Sequence, residues 1–275
     1  MGRIDELWRY DGRRAVVTGC ASGIGEHVVR QLAELGADVV GLDKRRPAFE
    51  INEFHEVDLA DPVSIDRAVA SIGGPVDALF NVAGVSSGIG NAPLVVTINF
   101  LGLRHVTEAL LPKMAAGSSI VSVSSLAAAA YREHLRTVAP LLNTATMQEG
   151  IDWCHSHLDA LAGGGYQLSK EAIILYTMRR STPLGARGIR INCTGPGVTE
   201  TPILDQLRTA YGQGFLDAIP KPLGRVSGPA EQASVLLFLN SRAASYISGQ
   251  VLWVDGGNVG AEIARELEEG APWPA

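Results

Sequence analysis

The chain has 275 residues, of which 46% are hydrophobic and 19% charged, and its formal net charge at pH 7 is −6. This composition is typical of a globular protein with a large core, and the acidic balance disfavours a nucleic-acid-binding or anionic-membrane-binding surface, because both need concentrated lysine and arginine. We expect no nucleic-acid or membrane partner, and the lack of an apolar run of about 18 residues or of a signal-peptide pattern indicates a cytoplasmic protein.

The predicted strands are short apolar runs that are rich in valine and isoleucine and end in turn residues. Runs without polar alternation are typical of the central strands of a parallel sheet. The strands are predicted at residues 13–19, 37–43, 54–58, 76–84, 118–125, 188–197 and 249–257, of which 54–58 is the weakest.

Helical patterns occupy the intervals between these strands. The alternation predicts an α/β fold, a Rossmann-type doubly wound parallel sheet of about seven strands with helices on both faces, in a single dinucleotide-binding and catalytic domain. Helix faces of this architecture often pair, so we expect a homo-oligomer. The predicted helices cover residues 23–36, 61–71, 97–115, 166–184 and 229–240.

A segment at 127–164 interrupts the step from the fifth strand to the next helix and is predicted to be a helical insertion. It could cover a substrate cleft, form a subunit interface or block one. A helical apolar stripe is predicted within it, and packing is the usual role of such a stripe. The stripe consists of Ile151, Cys154, Leu158 and Leu161.

Residues 198–222 form a second long connection after a strand end, and their apolar content favours a lid over a hydrophobic substrate. The alternative is an ordinary amphipathic helix packed on the body of the protein. After Asn258, the tail is predicted to be a short helix that ends at the sequence APWPA.

The cysteines and histidines do not predict a metal site. The cysteines are widely separated and form no C-x-x-C pair, which favours reduced core residues over zinc ligands or disulfides. The three histidines of the insertion lack acidic and thiol partners at ligand spacing. These residues are Cys20, Cys154 and Cys193, with His134, His155 and His157.

A glycine-rich turn, TGCASGIG at 18–25, follows the first predicted strand and leads into the first helix. Gly19, Gly23 and Gly25 allow the backbone to turn tightly and to approach a pyrophosphate, and the helix N-terminus supplies N–H groups and partial positive charge. The spacing is G-x-x-x-G-x-G, and its strand–turn–helix context predicts nucleotide binding.

Acidic residues end the second and third predicted strands. Asp43 is placed to accept hydrogen bonds from adenosine ribose hydroxyls and to repel a 2′-phosphate, which favours NAD over NADP. Lys44, Arg45 and Arg46 either hold such a phosphate or form a solvated loop. Asp58 either meets the adenine or caps a helix.

Tyr166 and Lys170 form a Y-x-x-x-K pair in a predicted helix. The spacing places both side chains on one helix face, one turn apart. A lysine ammonium next to a phenol favours the phenolate, so we expect Lys170 to lower the pKa of Tyr166 and to make it a proton-transfer group.

Together these motifs resemble the short-chain dehydrogenase/reductase family over residues 12–258. The order and spacing of the motifs, rather than any one of them, carry the resemblance. They are TGxxxGIG at 18–25, Asp43, Asp58, NVAG at 81–84, Asn99 in TINFLG, Ser124 with Ser125, Tyr166 with Lys170, PGVTET at 196–201 and VDGG at 254–257.

The resemblance implies a catalytic tetrad of Asn99, Ser125, Tyr166 and Lys170. Tyr166 is then the general acid/base, Ser125 binds the substrate oxygen, and Lys170 contacts the nicotinamide ribose. Asn99 kinks its helix and holds a water, or else only bonds the backbone. Ser124 is the alternative to Ser125.

The resemblance also implies the residues that hold the dinucleotide. Val198 and Thr201 are expected to bond the carboxamide, although the alternative for Thr201 is a helix N-cap. The expected cofactor residues are Gly19, Ser22, Gly23, Ile24, Gly25, Asp43, Asp58, Leu59, Asn81, Ala83, Gly84, Tyr166, Lys170, Pro196, Gly197, Val198 and Thr201.

Three departures from the family pattern narrow the resemblance. Val82 replaces an amide, the stretch from Asn81 to Asn99 is short, and Ser125 lies 41 positions before Tyr166. These features are similar to those of bacterial 3α-hydroxysteroid dehydrogenase/carbonyl reductases and coniferyl-alcohol dehydrogenases.

The resemblance to this subgroup implies an NAD-dependent oxidoreductase for an apolar secondary or aromatic alcohol or ketone. A hydroxysteroid-like substrate is expected first and a coniferyl-type alcohol second. The alternatives are an NADP-linked carbonyl reductase and a catalytically silent dinucleotide-binding regulator.

Overall fold

The structure is a computed structural model that describes residues 4–270. Its centre is a seven-stranded, all-parallel sheet with the strand order β3-β2-β1-β4-β5-β6-β7, which confirms the predicted doubly wound fold. The strands are β1 (Arg14–Thr18), β2 (Asp38–Asp43), β3 (Glu53–Glu56), β4 (Ala78–Asn81), β5 (Ser119–Val123), β6 (Arg190–Pro196) and β7 (Val251–Val254).

The α-helices connect the strands and cover both faces of the sheet. Short 3-10 turns occur at Ile4–Leu7, Ser87–Ile89, Leu111–Lys113, Leu126–Ala128, Leu158–Gly164 and Arg242–Ala244. The α-helices are α1 (Gly23–Glu34), α2 (Pro62–Ser71), α3 (Ala92–Val96), α4 (Leu103–Leu110), α5 (Leu135–Leu142), α6 (Met147–Ser156), α7 (Tyr166–Gly185), α8 (Pro202–Tyr211), α9 (Gln213–Asp217), α10 (Pro229–Asn240) and α11 (Asn258–Glu268).

Two hydrophobic clusters lie on opposite faces of the sheet because successive strand residues point to opposite sides. In β1, Val16 packs into the cluster that includes α2, α4 and α7, whereas Ala15 and Val17 pack into the cluster of α1 and α10. Both faces of the central strands are therefore buried, which explains their unbroken apolar sequences.

The helix predicted at 97–115 begins earlier and is not uniform. It runs through α3, a π-helical segment at Thr97–Gly102 and α4. The whole span Ala92–Lys113 is long and apolar enough to cross a membrane, but 72% of its most apolar window is buried inside the protein. Its apolar side chains therefore serve the core.

The insertion differs from the sequence-based expectation in one detail, and the tail forms the expected helix. The helix α6 ends at Ser156, so Leu158 does not continue its stripe and is 61% exposed, whereas Cys154 and Leu161 are buried. The tail forms α11, but the predicted end of this helix at APWPA lies outside the described residues.

Candidate active site

A cavity of about 820 Å³ opens at the carboxyl ends of the sheet strands. Parallel strands of this topology bind ligands there. The predicted site residues that line it are Gly19, Ser22, Gly23, Ile24, Gly25, Asp43, Asp58, Leu59, Ala83, Gly84, Ser125, Tyr166, Lys170, Pro196, Gly197, Val198 and Thr201.

The glycine turn after β1 is tight enough to require glycine. A Cβ at Gly25 would lie 2.0 Å from the carbonyl oxygen of Gly19, and a Cβ at Gly19 would lie 2.7 Å from the Cα of Ala83. The Thr18 hydroxyl also accepts hydrogen bonds from the Val82 and Ala83 amides at 3.0 and 3.2 Å. The turn is thereby fixed to the end of β4, beside the N-terminus of α1.

The carboxylates at the ends of β2 and β3 are held by backbone amides and by one ion pair. Asp43 accepts hydrogen bonds from the backbone amides of Ala21 and Arg45, at 3.0 and 3.1 Å. Lys44 forms an ion pair with Asp58 at 2.8 Å. Burial alone would raise the pKa of Asp58, but this ion pair and a backbone hydrogen bond outweigh it, so the pKa is lowered.

Tyr166 is the first residue of α7, and Lys170 follows one turn later. The Lys170 ammonium lies 5.6 Å from the centroid of the Tyr166 ring and donates a hydrogen bond of 3.0 Å to the Val123 carbonyl at the end of β5. Its side chain is buried, and this burial lowers the pKa of Lys170 to about 8.

The pKa of Tyr166 differs from the sequence-based expectation. Burial raises it, and a hydrogen bond with Ser125 opposes that rise without reversing it. In the protein without a bound cofactor, Lys170 does not lower the pKa of the phenol. Desolvation disfavours the charged forms of both side chains. The protein therefore holds Tyr166 as a neutral phenol.

The two serines after β5 have different surroundings. Ser124 is buried, and its hydroxyl donates a hydrogen bond of 2.7 Å to the Lys170 carbonyl, so it holds α7 against β5. Ser125 lines the cavity, and its Oγ accepts a hydrogen bond of 3.2 Å from the Ala127 amide. Both serines line the cavity, but the Ser124 hydroxyl is already donated to α7, so Ser125 is the better placed of the two to bind a ligand.

Asn99 lies in the π-helical segment and does not line the cavity. Its Oδ1 accepts from the Val85 amide at 2.8 Å, and its Nδ2 donates to the Val85 carbonyl and to Ser169 Oγ at 3.0 and 3.1 Å. A Cβ at Gly84 would lie 3.2 Å from Asn99 Oδ1 and 3.5 Å from Lys170 Nζ. Asn99 thus clamps the turn after β4 next to Lys170.

Asn81, expected among the cofactor residues, is also absent from the cavity wall. It is 1% exposed, and its Nδ2 donates to Thr107 Oγ1 and Ser122 Oγ at 2.9 and 3.3 Å. The amide therefore joins β4 to α4 and β5 beneath the cavity floor. The side chain therefore does not reach the cavity, and the expectation that Asn81 is a cofactor residue stays a prediction.

The 198–222 segment forms α8 and α9, and it walls the cavity with apolar side chains. The rings of Tyr211 and Phe215 lie 5.3 Å apart. Thr201 precedes α8 at the N-cap position, yet its hydroxyl donates to the Thr199 carbonyl at 3.3 Å instead of capping the helix. The cavity-lining residues of this wall are Ile203, Leu204, Leu207, Tyr211, Phe215, Leu216 and Ile219.

The insertion meets the cavity at its two ends, through Ala127 and Gly163. His134 pairs with the buried carboxylate of Glu171 at 2.7 Å, and His157 stacks on the Trp153 ring at 4.6 Å. Within residues 4–270, no group of three or more histidine, cysteine, aspartate or glutamate side chains is arranged to hold a metal ion.

Several cavity residues belong to no motif and are not predicted from the sequence. Ser87 and Gln206 line the cavity from the turn after β4 and from α8, and Gln167 lines it from α7. Their positions depend on how distant segments pack together, so no local spacing identifies them. Their polar character within otherwise apolar walls is the only signal.

Comparison with known proteins places these features in a family. The family model described as "short chain dehydrogenase" matches residues 13–137, and the model described as "Enoyl-(Acyl carrier protein) reductase" matches residues 154–258. The interval between the two matches lies inside the insertion.

Curated relatives cover nearly the whole chain. A coniferyl-alcohol dehydrogenase of Pseudomonas sp. strain HR199 is 35% identical over 246 residues, which cover 89% of this chain and 96% of that protein. A 3-alpha-hydroxysteroid dehydrogenase/carbonyl reductase of Comamonas testosteroni is 30% identical over 249 residues, with 88% and 95% covered.

A solved structure shows the same fold. The 3-alpha-hydroxysteroid dehydrogenase of Pseudomonas sp. B-0831, complexed with NADH, matches with a TM-score of 0.77 and 31% identity. The match covers 94% of this chain and all of that one, at 100%.

Proposed function

The chain belongs to the short-chain dehydrogenase/reductase family and is an NAD(P)-dependent oxidoreductase of alcohols or ketones, and we propose that it uses NAD and acts on an apolar secondary or aromatic alcohol, with Tyr166 as general acid/base. One observation carries this proposal: Ser125, Tyr166 and Lys170 line the same cavity as the glycine turn and the apolar wall of α8 and α9.

The cavity fits a nicotinamide dinucleotide. At Gly25 and Gly19 the space that a side chain would fill is taken by backbone atoms. The Gly19 and Ala21 amides of the turn are engaged with the Leu42 carbonyl and the Asp43 carboxylate, so the N–H groups for a pyrophosphate would come from the N-terminus of α1. Asp43 lies at the end of β2, where ribose hydroxyls would be held. When bound, the nicotinamide supplies or accepts the hydride.

The charges near Asp43 support NAD rather than NADP. A 2′-phosphate needs free basic groups, but Lys44 is engaged with Asp58 and the Arg46 guanidinium lies 5.6 Å from the centroid of the Phe54 ring. Arg45 is the one member of the cluster for which no side-chain contact is found among the described residues, and the Asp43 carboxylate beside it would repel a phosphate dianion.

In this proposal Tyr166 donates the proton in ketone reduction and accepts it in alcohol oxidation. In ketone reduction its neutral phenol, favoured by burial, donates a proton to the carbonyl oxygen, which Ser125 holds by a hydrogen bond. In alcohol oxidation the phenolate accepts the hydroxyl proton. Because Lys170 does not lower the pKa of Tyr166 in the protein without cofactor, the positive charge of a bound oxidised nicotinamide would add to that of the Lys170 ammonium in stabilising the phenolate. The turn at Gly84 packs between Asn99 and Lys170. The role of Asn99 in this proposal is therefore to fix the position of that turn.

Two substrate classes remain for the apolar wall, and the relatives support both. Hydroxysteroid-like alcohols are the first candidate, because the solved relative complexed with NADH is a 3-alpha-hydroxysteroid dehydrogenase. Coniferyl-type aryl alcohols are the second candidate, supported by the relative that is 35% identical.

The test is steady-state formation of NADH or NADPH from 3α-hydroxysteroids, coniferyl alcohol and cinnamyl alcohol, each with NAD and with NADP. We expect turnover with NAD and one substrate class. Tyr166→Phe should reduce kcat by at least about 100-fold, the lower end for a general acid/base, while NADH still binds in a fluorescence titration.

Tyr176→Phe is the matched control. Tyr176 is a buried tyrosine of the same helix, whose hydroxyl donates to Glu108 at 2.6 Å and which does not line the cavity. We expect this variant to keep its turnover. Near-normal turnover of Tyr166→Phe would remove Tyr166 from the mechanism, and NADP preference would overturn the cofactor assignment.

A further inference from the structure

A hydrogen-bonded cluster joins the lid to the turn after β4. It consists of Ser86, Ser87, Gln206 and Tyr211, and we call it the lid cluster. Ser86 Oγ donates to Gln206 Oε1 at 3.0 Å, and the Tyr211 hydroxyl donates to Ser87 Oγ at 2.8 Å. Ser87, Gln206 and Tyr211 line the cavity, whereas Ser86 lies behind them and is fully buried.

Ser86 fixes the orientation of the Gln206 amide. The Ser86 Oγ already accepts from the Gly88 amide at 3.2 Å, so its own hydrogen requires an acceptor, because an unpaired buried hydroxyl is costly. Among the described residues the acceptor is Gln206 Oε1. The oxygen of the amide is therefore engaged, and its Nε2 donor finds no partner within residues 4–270.

The Ser87 hydroxyl is the second unpaired hydrogen-bond donor of the lid cluster. Its Oγ accepts the Tyr211 hydroxyl hydrogen, and the Ser87 hydrogen itself has no acceptor in the part of the chain that the structure describes. The lid cluster thus presents two unpaired donors, Gln206 Nε2 and the Ser87 hydroxyl. The neighbouring wall is apolar, with Leu207 and Phe215 lining the same cavity.

We propose that the lid cluster binds a second oxygen atom of the substrate, separate from the oxygen that exchanges its proton with Tyr166. Unpaired donors in an apolar wall select an acceptor, so this oxygen belongs to a carbonyl, hydroxyl or ether group. The preferred substrates are apolar alcohols that carry a further oxygen away from the reacting carbon. This inference rests on the proposed function and narrows its substrate class.

The test compares alcohols that differ in the second oxygen. Coniferyl alcohol, which carries ring oxygens, is paired with cinnamyl alcohol, which has none. A 3α-hydroxysteroid with a C17 carbonyl is paired with the same steroid without it. For the pair that the enzyme oxidises, kcat/KM is expected to be higher for the oxygen-bearing member.

Gln206→Leu should lower the ratio of the two kcat/KM values by about 3- to 10-fold, the effect of losing roughly one net hydrogen bond. Ser86→Ala should lower the ratio by a smaller factor, because the Gln206 amide is then free to turn its oxygen toward the substrate. The matched control is Thr209→Val, which alters an exposed residue of α8 outside the cavity wall and should leave the ratio unchanged.

Three other outcomes would overturn the inference, and they differ in whether the proposed function survives. Equal kcat/KM values for both members in the wild-type enzyme would refute oxygen recognition while leaving the proposed function intact. An equal loss for both members in Gln206→Leu would show that the cluster only packs the lid. No turnover with any of the four alcohols would remove the proposed function, and the inference with it.

Discussion

Replacing Lys170 by methionine is expected to stabilise the protein at pH 7, although Lys170 is placed at the centre of the proposed chemistry. The Lys170 side chain is buried, and its hydrogen bond to the Val123 carbonyl is to a neutral group. No carboxylate forms an ion pair with it within residues 4–270. The fold therefore buries an ammonium group without a counter-charge, which is unfavourable.

The size of this penalty follows from the pKa. Burial lowers the pKa of Lys170 from 10.5 to about 8, which at about 1.4 kcal/mol per unit amounts to about 3 kcal/mol. Methionine removes the charge but also removes the hydrogen bond to the Val123 carbonyl, a loss of about 1 kcal/mol. The expected net gain in the free energy of unfolding at pH 7 is therefore about 2 kcal/mol.

The gain depends on pH in a defined direction. Below about pH 8 the lysine is charged in both the folded and unfolded states, so the full penalty is present. Above about pH 10.5 it is neutral in both states, and the penalty disappears. The wild-type protein should therefore gain stability relative to Lys170→Met as the pH rises, and at pH 9.5 the remaining penalty of about 1 kcal/mol is offset by the lost hydrogen bond.

The assay is urea unfolding of both proteins at pH 7.0 and 9.5, followed by tryptophan fluorescence. Lys113→Met is a matched control, because the Lys113 ammonium also donates to a backbone carbonyl, that of Ile72, but lies partly in solvent. If Lys170→Met were less stable than wild type at pH 7.0, or if its relative stability did not fall at pH 9.5, the burial argument would be refuted.

Four further outcomes follow from the site. Ser125→Ala should reduce kcat by at least about 10-fold with little change in the urea midpoint, whereas Ser124→Ala should cost about 1 kcal/mol of stability through its lost hydrogen bond. Gly25→Ala should weaken NADH binding in fluorescence titration by at least about 10-fold, since the new Cβ meets a backbone carbonyl and opens the turn. Asp43→Ser should raise kcat/KM with NADP relative to NAD, and an unchanged cofactor ratio would mean that this carboxylate does not select the cofactor. Phe215→Ala should raise the KM for an apolar alcohol about 5- to 30-fold, which corresponds to roughly 1–2 kcal/mol of lost burial. An unaltered KM would contradict the lid role.

The parts of the fold that sequence predicts well are those set by local backbone requirements. The glycine turn is predictable because Gly25 and Gly19 approach other backbone atoms within one short segment. The strands are predictable because burial on both faces leaves an apolar run, as in Ser119–Val123. Tyr166 and Lys170 are placed by helix periodicity alone.

What sequence does not predict is the direction in which polar side chains face. Asn81 and Asn99 belong to recognisable motifs, yet both turn away from the cavity because their partners lie on other elements. The pKa of Tyr166 depends on desolvation, which a helical spacing does not report. Gln206 reaches the cavity through contact with Ser86, which is 120 positions away in the chain.

The two ends of the cavity therefore differ in what a substitution costs. At the cofactor end, Gly25 and Lys170 are enclosed by backbone and core, so a change there alters folding and chemistry together. At the end walled by α8 and α9, Tyr211 and Phe215 are each 47% exposed, and substitutions at surface positions of this kind have little effect on stability. We therefore expect substitutions in α8 and α9 to alter substrate preference while leaving the proposed hydride-transfer end unchanged, and we expect the lid cluster, rather than the family motifs, to determine the substrate.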